Sequence, residues 1–234
     1  MRDIFEMEQG MQWIVLADVH GSVGHLPYIV PELSRAEGVF IAGDITNFGG
    51  RSEAMSTIDS LASVNENILA VAGNCDLKAV GQYLDERSMN VHGKALIQGN
   101  ICCVGVSGSL PCPGATLQKQ GEEAFALVLK QAIQSVSDES GKLVVMSHQP
   151  AYGTAVDTVR GGQYCGSHAI RKFIEMHEPL LAISGHIHEA AGVDTLGKTT
   201  LVNPGPFRSG HYAVVTFRKG QVTVQLKHTS DQSF

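Results

Sequence analysis

Six short apolar runs punctuate the chain, at 12–17 (QWIVLA), 39–42 (VFIA), 68–72 (ILAVA), 101–106 (ICCVGV), 143–146 (LVVM) and 180–183 (LLAI). Each has the length of a strand and no polar alternation, the pattern of a strand covered on both faces. Between several of them, residues 51–63, 77–87, 119–136 and 166–177 carry spacings that suit helices. That alternation predicts βαβ units. The C-terminal part changes character: TTLVN, HYAVVTF and QVTVQLK are β-rich, and Arg218-Lys219-Gly220 between the last two reads as a hairpin turn. A mixed sheet, or two stacked sheets, accommodates both parts. No repeat, low-complexity segment or linker interrupts the pattern, so 1–234 is expected to form a single domain.

Composition narrows the function classes. With 234 residues and 43% hydrophobic content, the chain can bury a substantial α/β core. Lys and Arg number 17 against 23 for Asp and Glu, a net charge of -6, and no basic run forms a footprint for long DNA or RNA. The N-terminal MRDIFEMEQG has acidic residues where a signal peptide needs a basic start, and no apolar stretch approaches the roughly 18 residues of a membrane span. A soluble cytoplasmic protein without a membrane partner is expected. Five cysteines are an odd number, and Cys102 and Cys103 are neighbours whose side chains point to opposite faces of a strand, so free thiols are expected.

The informative residues stand just beyond the apolar runs. QWIVLA is followed by Asp18-Val19-His20-Gly21, VFIA by Gly43-Asp44, ILAVA by Gly73-Asn74, LVVM by Ser147-His148, and LLAI by Ser184-Gly185-His186-Ile187-His188. In α/β sheets ligands bind beyond the carboxyl ends of the strands, so these side chains are expected to converge. Asp18/His20 and His186/His188 share i, i+2 spacing, which puts both members on one face where the chain stays extended. A lone histidine after a strand is usually structural and Gly-Asp alone usually marks a turn. Here two carboxylates, four imidazoles and one amide stand at five strand ends. That exceeds one tetrahedral zinc site and suits two ions sharing a carboxylate.

The ordered set Asp18-Val19-His20, Gly43-Asp44, Gly73-Asn74-Cys75-Asp76, His148 and Gly185-His186-Ile187-His188 resembles the calcineurin-like metallophosphoesterases. The segments HQPAYGTAVDTVRGG, GSHAIRKFIE, GHIHEAAG and VNPGP are similar to a small prokaryotic branch of predicted phosphoesterases related to cyclic-nucleotide phosphodiesterases. The resemblance implies a four-layer αββα sandwich of two stacked mixed sheets flanked by helices. It assigns Asp18, His20 and His188 to one metal, Asn74, His148 and His186 to a second, and Asp44 to both. It implies hydrolysis of a phosphate ester by a hydroxide bridging the two ions. Oxygen and imidazole ligands suit manganese, iron, zinc or nickel.

Cys75 departs from the commonest pattern of the family, which has histidine between the asparagine and the aspartate and assigns it to the leaving oxygen. Metal ligand, nucleophile, replacement at the leaving-group position and space-filling thiol are the four readings. The leaving-group reading is preferred, because seven other groups complete the metal shells and a hydroxide already serves as nucleophile. A thiol of reference pKa roughly 8.5 donates less readily than imidazolium. The enzyme would then favour aryl or nucleoside diesters, or recruit Asp76 or water as acid. Asn74, Cys75 and Asp76 are accordingly the candidate catalytic residues.

Of the remaining residues, His25, His92, His177, His211 and His228 read as structural or superficial. His168, Tyr152 and Arg160 follow His148 and are expected near the mouth of the site, where Arg160 suits a phosphate oxygen. Asn203-Pro204-Gly205-Pro206 reads as a rigid turn beneath the metals, Cys102 and Cys103 as core, and Cys112 as an exposed thiol. The expected partner is a small phosphate ester, a nucleotide among the candidates. The competing function is a non-catalytic scaffold on the same fold. Substrate identity and oligomeric state are not encoded in any motif.

Overall fold

Along the first apolar run, Trp13, Val15 and Ala17 alternate with Ile14 and Leu16, and all five are buried. Both faces of this strand are covered because each faces a different layer. The structure, a computed structural model, describes residues 10–112, 116–136 and 142–231. The acidic N-terminal stretch and the Pro113-Gly114 half of the PCPG loop lie outside the described residues.

Strands β1 (Met11–Leu16), β2 (Gly38–Ala42) and β3 (Ile68–Val71) run parallel. β1 also pairs antiparallel with β10 (His211–Arg218), which pairs with β11 (Gln221–His228), completing a sheet of order β11-β10-β1-β2-β3. The second sheet joins β4 (Ala95–Gln98), β5 (Ile101–Val106), β6 (Lys142–Ser147), β7 (Leu181–Ile183), β8 (Gly192–Leu196) and β9 (Thr199–Asn203). Its order is β4-β5-β6-β7-β9-β8, with a parallel centre and antiparallel edges.

Three apolar layers hold four structural ones together. Ile14, Leu16, Val39, Ile41 and Ile68 pack outward against α1 (Leu26–Leu33), α2 (Arg51–Ala62) and α3 (Lys78–Glu86). Trp13, Val15, Phe40 and Val71 face Ile101, Cys103, Val144, Met146 and Ile183 between the sheets. Val104, Val106 and Val145 pack beneath α4 (Glu122–Ile133) and α5 (His168–His177). The architecture is therefore the αββα sandwich. At roughly 1.5–3 kcal/mol for each large side chain removed from water, these layers dominate the stability. Between the sheets, Trp13 stacks on Phe40 with ring centroids 4.3 Å apart. Gly38 leaves the room, since a methyl there would come within 2.6 Å of the indole.

The expected strands and helices are present with ends shifted by a few residues. Helix α1 is an addition to the expected set: Pro27 and Pro31 speak against a helix, yet Pro27 lies in the first turn, where a missing N–H costs nothing. The edge strands β4 and β8 also escape the apolar pattern, because they are half-exposed and short. The hairpin turn is tighter than Arg218-Lys219-Gly220: Arg218 still pairs with Gln221, and only Lys219 (φ 49°) and Gly220 (φ 77°) form the loop. Both central residues left-handed is the type I′ requirement. All five cysteines are free; Cys102 and Cys103 are buried, Cys112 is half-buried and Cys165 is exposed. No described helix is long and apolar enough to cross a membrane.

Candidate metal centre

The seven candidate ligands follow β1, β2, β3, β6 and β7, all at the carboxyl ends of parallel strands. The first sheet supplies Asp18, His20, Asp44 and Asn74, and the second supplies His148, His186 and His188. The site thus straddles the open end of the inter-sheet core. The loops after β1 and β2 are zipped together: Asp18 N donates to Gly43 O at 3.1 Å, His20 N to Asp44 O at 2.8 Å and Gly21 N to Ile45 O at 2.8 Å.

The expectation that i, i+2 pairs share a face of extended chain is not met. Asp18 (φ 52°), His20 (φ 48°), Asp44 (φ 48°) and His186 (φ 69°) are all left-handed. That conformation costs a non-glycine residue on the order of 1–3 kcal/mol and persists where surroundings enforce it, often at functional sites. The side chains converge because the backbone coils there. Glycines permit the crowding. A methyl on Gly73 would run into the Asp44 carboxylate and amide, and one on Gly43 into the His148 ring.

Ligating atoms of Asp18, His20 and His188 all lie within 4.8 Å of one another, as do those of Asp18, Asp44 and His148, and those of His20, Asp44 and Cys75. Asp44 belongs to two of these sets, its Oδ2 standing 3.4 Å from His148 Nε2 and 3.8 Å from His20 Nε2. Asn74 Oδ1 lies 2.9 Å from His148 Nε2. His186 enters none of the sets; its ring meets His148 edge-on with centroids 5.0 Å apart, and its amide donates to Asp18 Oδ2 at 3.1 Å. Among the described residues, Asp18 Oδ1 and both ring nitrogens of His20 are buried without a hydrogen-bond partner, Asp18 Oδ1 having only the His188 Nε2 at 3.3 Å as an ionic neighbour. Each orphan costs roughly 1–3 kcal/mol, a penalty that a shared cation removes. The donor set therefore fits divalent metal.

Among the side chains themselves the charges are tightly linked. Burial alone would raise the Asp44 carboxyl, but the neighbouring His148 imidazolium and the Cys75 amide hold it below the ordinary range. Burial works to lower His148, and the Asp44 carboxylate overrides it, raising the imidazole. His186 is lowered to about 4 by burial and by His148. Burial lowers His20 despite the pull of Asp44 and Asp18, whereas the Asp18 carboxylate raises His188. His148 Nδ1 lies 2.8 Å from the Ala42 carbonyl, an acceptor that places the proton on Nδ1 and turns Nε2 toward Asp44 and Asn74.

The Cys75 thiol is buried, and burial together with Asp44, Asp76 and Asp18 pushes it up, so it stays neutral. Its amide donates to Asp44 Oδ1 at 2.8 Å. The Asp76 carboxylate is saturated: it accepts from Ile45 N, Thr46 N, Thr46 Oγ1 and Gly73 N at 3.1, 2.8, 2.7 and 2.8 Å. It pins the Asp44 loop to the Asn74 loop. That pinning gives the Gly73 contact a consequence. Gly73→Ala is expected to cost about 1–3 kcal/mol as an overpacked site and to strip divalent metal from a chain whose circular dichroism is unchanged. Wild-type metal content in the purified variant, by elemental analysis, would mean that Asp44 adapts.

The Asn203–Pro206 turn packs against the same loops. Phe207 N donates to Ala17 O at 2.9 Å, Arg208 N to Asp18 O at 3.3 Å, and Asn203 Nδ2 to Ile187 O at 2.9 Å. Arg160 is exposed, and its amide donates to Glu189 Oε1 at 3.3 Å. Tyr152 stacks on His168 with centroids 3.9 Å apart. His92 is structural, its Nδ1 accepting from Ser107 N at 2.9 Å.

Residues 11–220 match the model of the calcineurin-like phosphoesterase superfamily domain. An uncharacterised protein of Methanocaldococcus jannaschii is 33% identical over 205 residues, spanning 86% of this chain and 90% of that protein. Among solved structures, a Thermus thermophilus protein superposes with a TM-score of 0.75 at 18% identity, over 94% of this chain and 100% of its own. The anchor protein of the inner membrane complex of Plasmodium superposes with a TM-score of 0.60 at 10% identity, over 96% of this chain and 86% of its own. At those identities the two structures bear on the fold alone.

Proposed function

The chain belongs to the calcineurin-like phosphoesterase superfamily, and from that premise we propose that it hydrolyses a small phosphodiester with two divalent ions held at this centre. The observation that carries the reading is Asp44, buried and common to two of the clustered donor sets. Asp18, His20 and His188 would hold one ion, Asn74, His148 and His186 the other, and Asp44 both. Manganese, iron, zinc and nickel all suit oxygen and imidazole donors. Bound there, the ions would ready water for attack on phosphorus and neutralise charge gathering on the phosphate oxygens.

The protein groups have separate tasks. Asp44 and Asp18 supply the negative charge that retains cations. The Ala42 carbonyl orients His148. Asp76, with four donors on its carboxylate, holds the loops, so its role is positioning. Cys75, a neutral thiol beside Asp44, occupies the leaving-group position. A thiol protonates a poor leaving group weakly, which favours aryl esters over alkyl ones. One domain, 1–234, carries the centre, and five unpaired thiols suit a reducing cytoplasm.

Elemental analysis of the purified protein, followed by hydrolysis of bis(p-nitrophenyl) phosphate with and without Mn(II), tests the reading. Bound metal with metal-dependent turnover is the expected result; bound metal without turnover on mono- and diesters, cyclic nucleotides included, would favour a scaffold. The role of Cys75 is tested across leaving groups of graded pKa. Cys75→His is expected to speed hydrolysis of alkyl esters by about 10²-fold or more, the scale of general acid catalysis, and to change aryl esters far less. An unchanged dependence on leaving-group pKa would remove Cys75 from the chemistry.

A further inference from the structure

Tyr152, Tyr164 and His168 bring three aromatic rings together in the segment that follows His148. The His168 ring stacks on Tyr152 with the ring planes 29° apart, and Tyr164 meets Tyr152 edge-on, with centroids 5.7 Å apart and planes at 65°. Both are favourable arrangements of rings. Tyr152 is half-buried, whereas His168 is exposed and Tyr164 is 49% exposed. The backbone beneath them is fixed. Arg171 Nη1 donates to Tyr152 O at 2.9 Å, and the Asp157 carboxylate accepts from Gly153 N and Cys165 N at 2.8 and 2.9 Å. The Glu122 carboxylate accepts from Ser167 Oγ, His168 N and Ala169 N at 2.6, 2.9 and 2.9 Å, and Tyr152 N donates to Ser167 O at 3.1 Å. Exposed rings are thus mounted on a rigid frame.

Side-chain hydrogen bonds tie this frame to the ligand loops at two points. Gln149, buried and next to His148, donates from Nε2 to the carbonyl of Cys165, the neighbour of Tyr164, at 2.8 Å. Tyr164 also pairs with Thr158 across a hairpin, and Arg160 N of that hairpin donates to Oε1 of Glu189, the neighbour of His188, at 3.3 Å. Tyr164 is therefore tethered to chain neighbours of two candidate ligands. Tyr152 itself stands four residues beyond His148, so their Cα atoms are at most about 14 Å apart. A tyrosine already held in place loses little entropy when a flat group settles on its face. We propose that Tyr164, supported by Tyr152 and His168, is a stacking platform for a planar aromatic ring of the substrate, a nucleobase or an aryl group, whose phosphoryl group sits at the metal centre. This rests on the phosphoesterase reading above and deepens it by naming the part of the substrate held beyond the phosphorus.

The test titrates the full-length protein, loaded with Mn(II), calorimetrically with adenosine 5′-monophosphate, phenyl phosphate and ribose 5-phosphate, which share a phosphate while the last has no aromatic ring. Wild type is expected to bind at least one of the two ringed ligands about tenfold or more tightly than ribose 5-phosphate, the scale of one stacked base. Which of them gains identifies the ring as nucleobase or aryl. Tyr164→Ala is expected to erase the gain while metal content and ribose 5-phosphate affinity stay those of wild type. Tyr164→Phe is expected to keep it, because the ring and not the hydroxyl stacks. Absence of a gain in wild type would overturn the platform, as would a gain that survives Tyr164→Ala. Metal content and hydrolysis of bis(p-nitrophenyl) phosphate, measured on the same sample, separate the failures. A chain that holds metal and turns over the diester without preferring a ring loses only the platform, whereas one that takes up no metal loses the phosphoesterase reading and the platform with it.

Discussion

Asp44→Asn is expected to lower metal-dependent diester hydrolysis by about a thousandfold or more, since a metal pair supplies several kcal/mol of charge stabilisation and the shared ligand assembles it. The substitution is conservative in shape. An asparagine Oδ1 can still accept from the Cys75 amide, now 2.8 Å from Asp44 Oδ1, so the loop has reason to stay in place. What disappears is the carboxylate common to the set with Asp18 and His148 and the set with His20. Metal content should fall together with the rate while the far-ultraviolet circular dichroism of the chain stays that of wild type. A variant with full metal and near-wild-type turnover would separate Asp44 from the reaction.

Metal loading is expected to stabilise the protein markedly and in a pH-dependent way. A ligand at a hundred times its dissociation constant contributes about 2.7 kcal/mol. For a chain of this size each kcal/mol moves the melting temperature by about 2–4 °C, so saturating Mn(II) should raise it by about 5–10 °C over chelator-treated protein. The sign of the pH effect follows from His148. Burial opposes its charge, but Asp44 raises it above the ordinary 6.5, so in the metal-free chain it is protonated at neutral pH. That interaction stabilises the metal-free fold fully below about 6.5 and is lost as pH climbs through the raised value. An incoming cation must displace this proton, whereas His186, lowered to about 4, is already neutral. At least one proton, from His148 and in part from the raised His188, is therefore expected to leave per chain on loading at pH 7, and the gap in melting temperature should widen from pH 6 to pH 8. Titrations in buffers of different ionisation enthalpy measure the release; a gap that narrows with rising pH would contradict the assignment of His148 as a ligand.

Much of the fold is legible because buried strands announce themselves. The runs at 101–106 and 39–42 have no polar alternation, and both are strands covered on two faces. Helix α1 is not legible, since Pro31 inside it defeats any local propensity and only packing of Leu26, Ile29 and Leu33 under the first sheet sustains it. The edge strands β4 and β8 owe their existence to neighbours that lie adjacent in sequence but add little buried surface. Asp76 shows the same limit at the site. Its position beside Asn74 and Cys75 suggests chemistry, whereas its four donors come from Ile45, Thr46 and Gly73 on two loops.

The amino-acid sequence by itself determined the kinds of donor and their places at the ends of strands, because residue chemistry and apolar runs are local properties. It also held the glycines that let those ends approach. Only the tertiary structure decided which donors share a centre, since Asp18 and His188 meet through two different sheets. It decided the left-handed turns that aim Asp18, His20, Asp44 and His186. It also placed the short helical turn Phe207–Ser209 beside the Asp18 loop, because that proximity depends on a chain segment returning from the far end of the sequence to pair with Ala17 and Asp18.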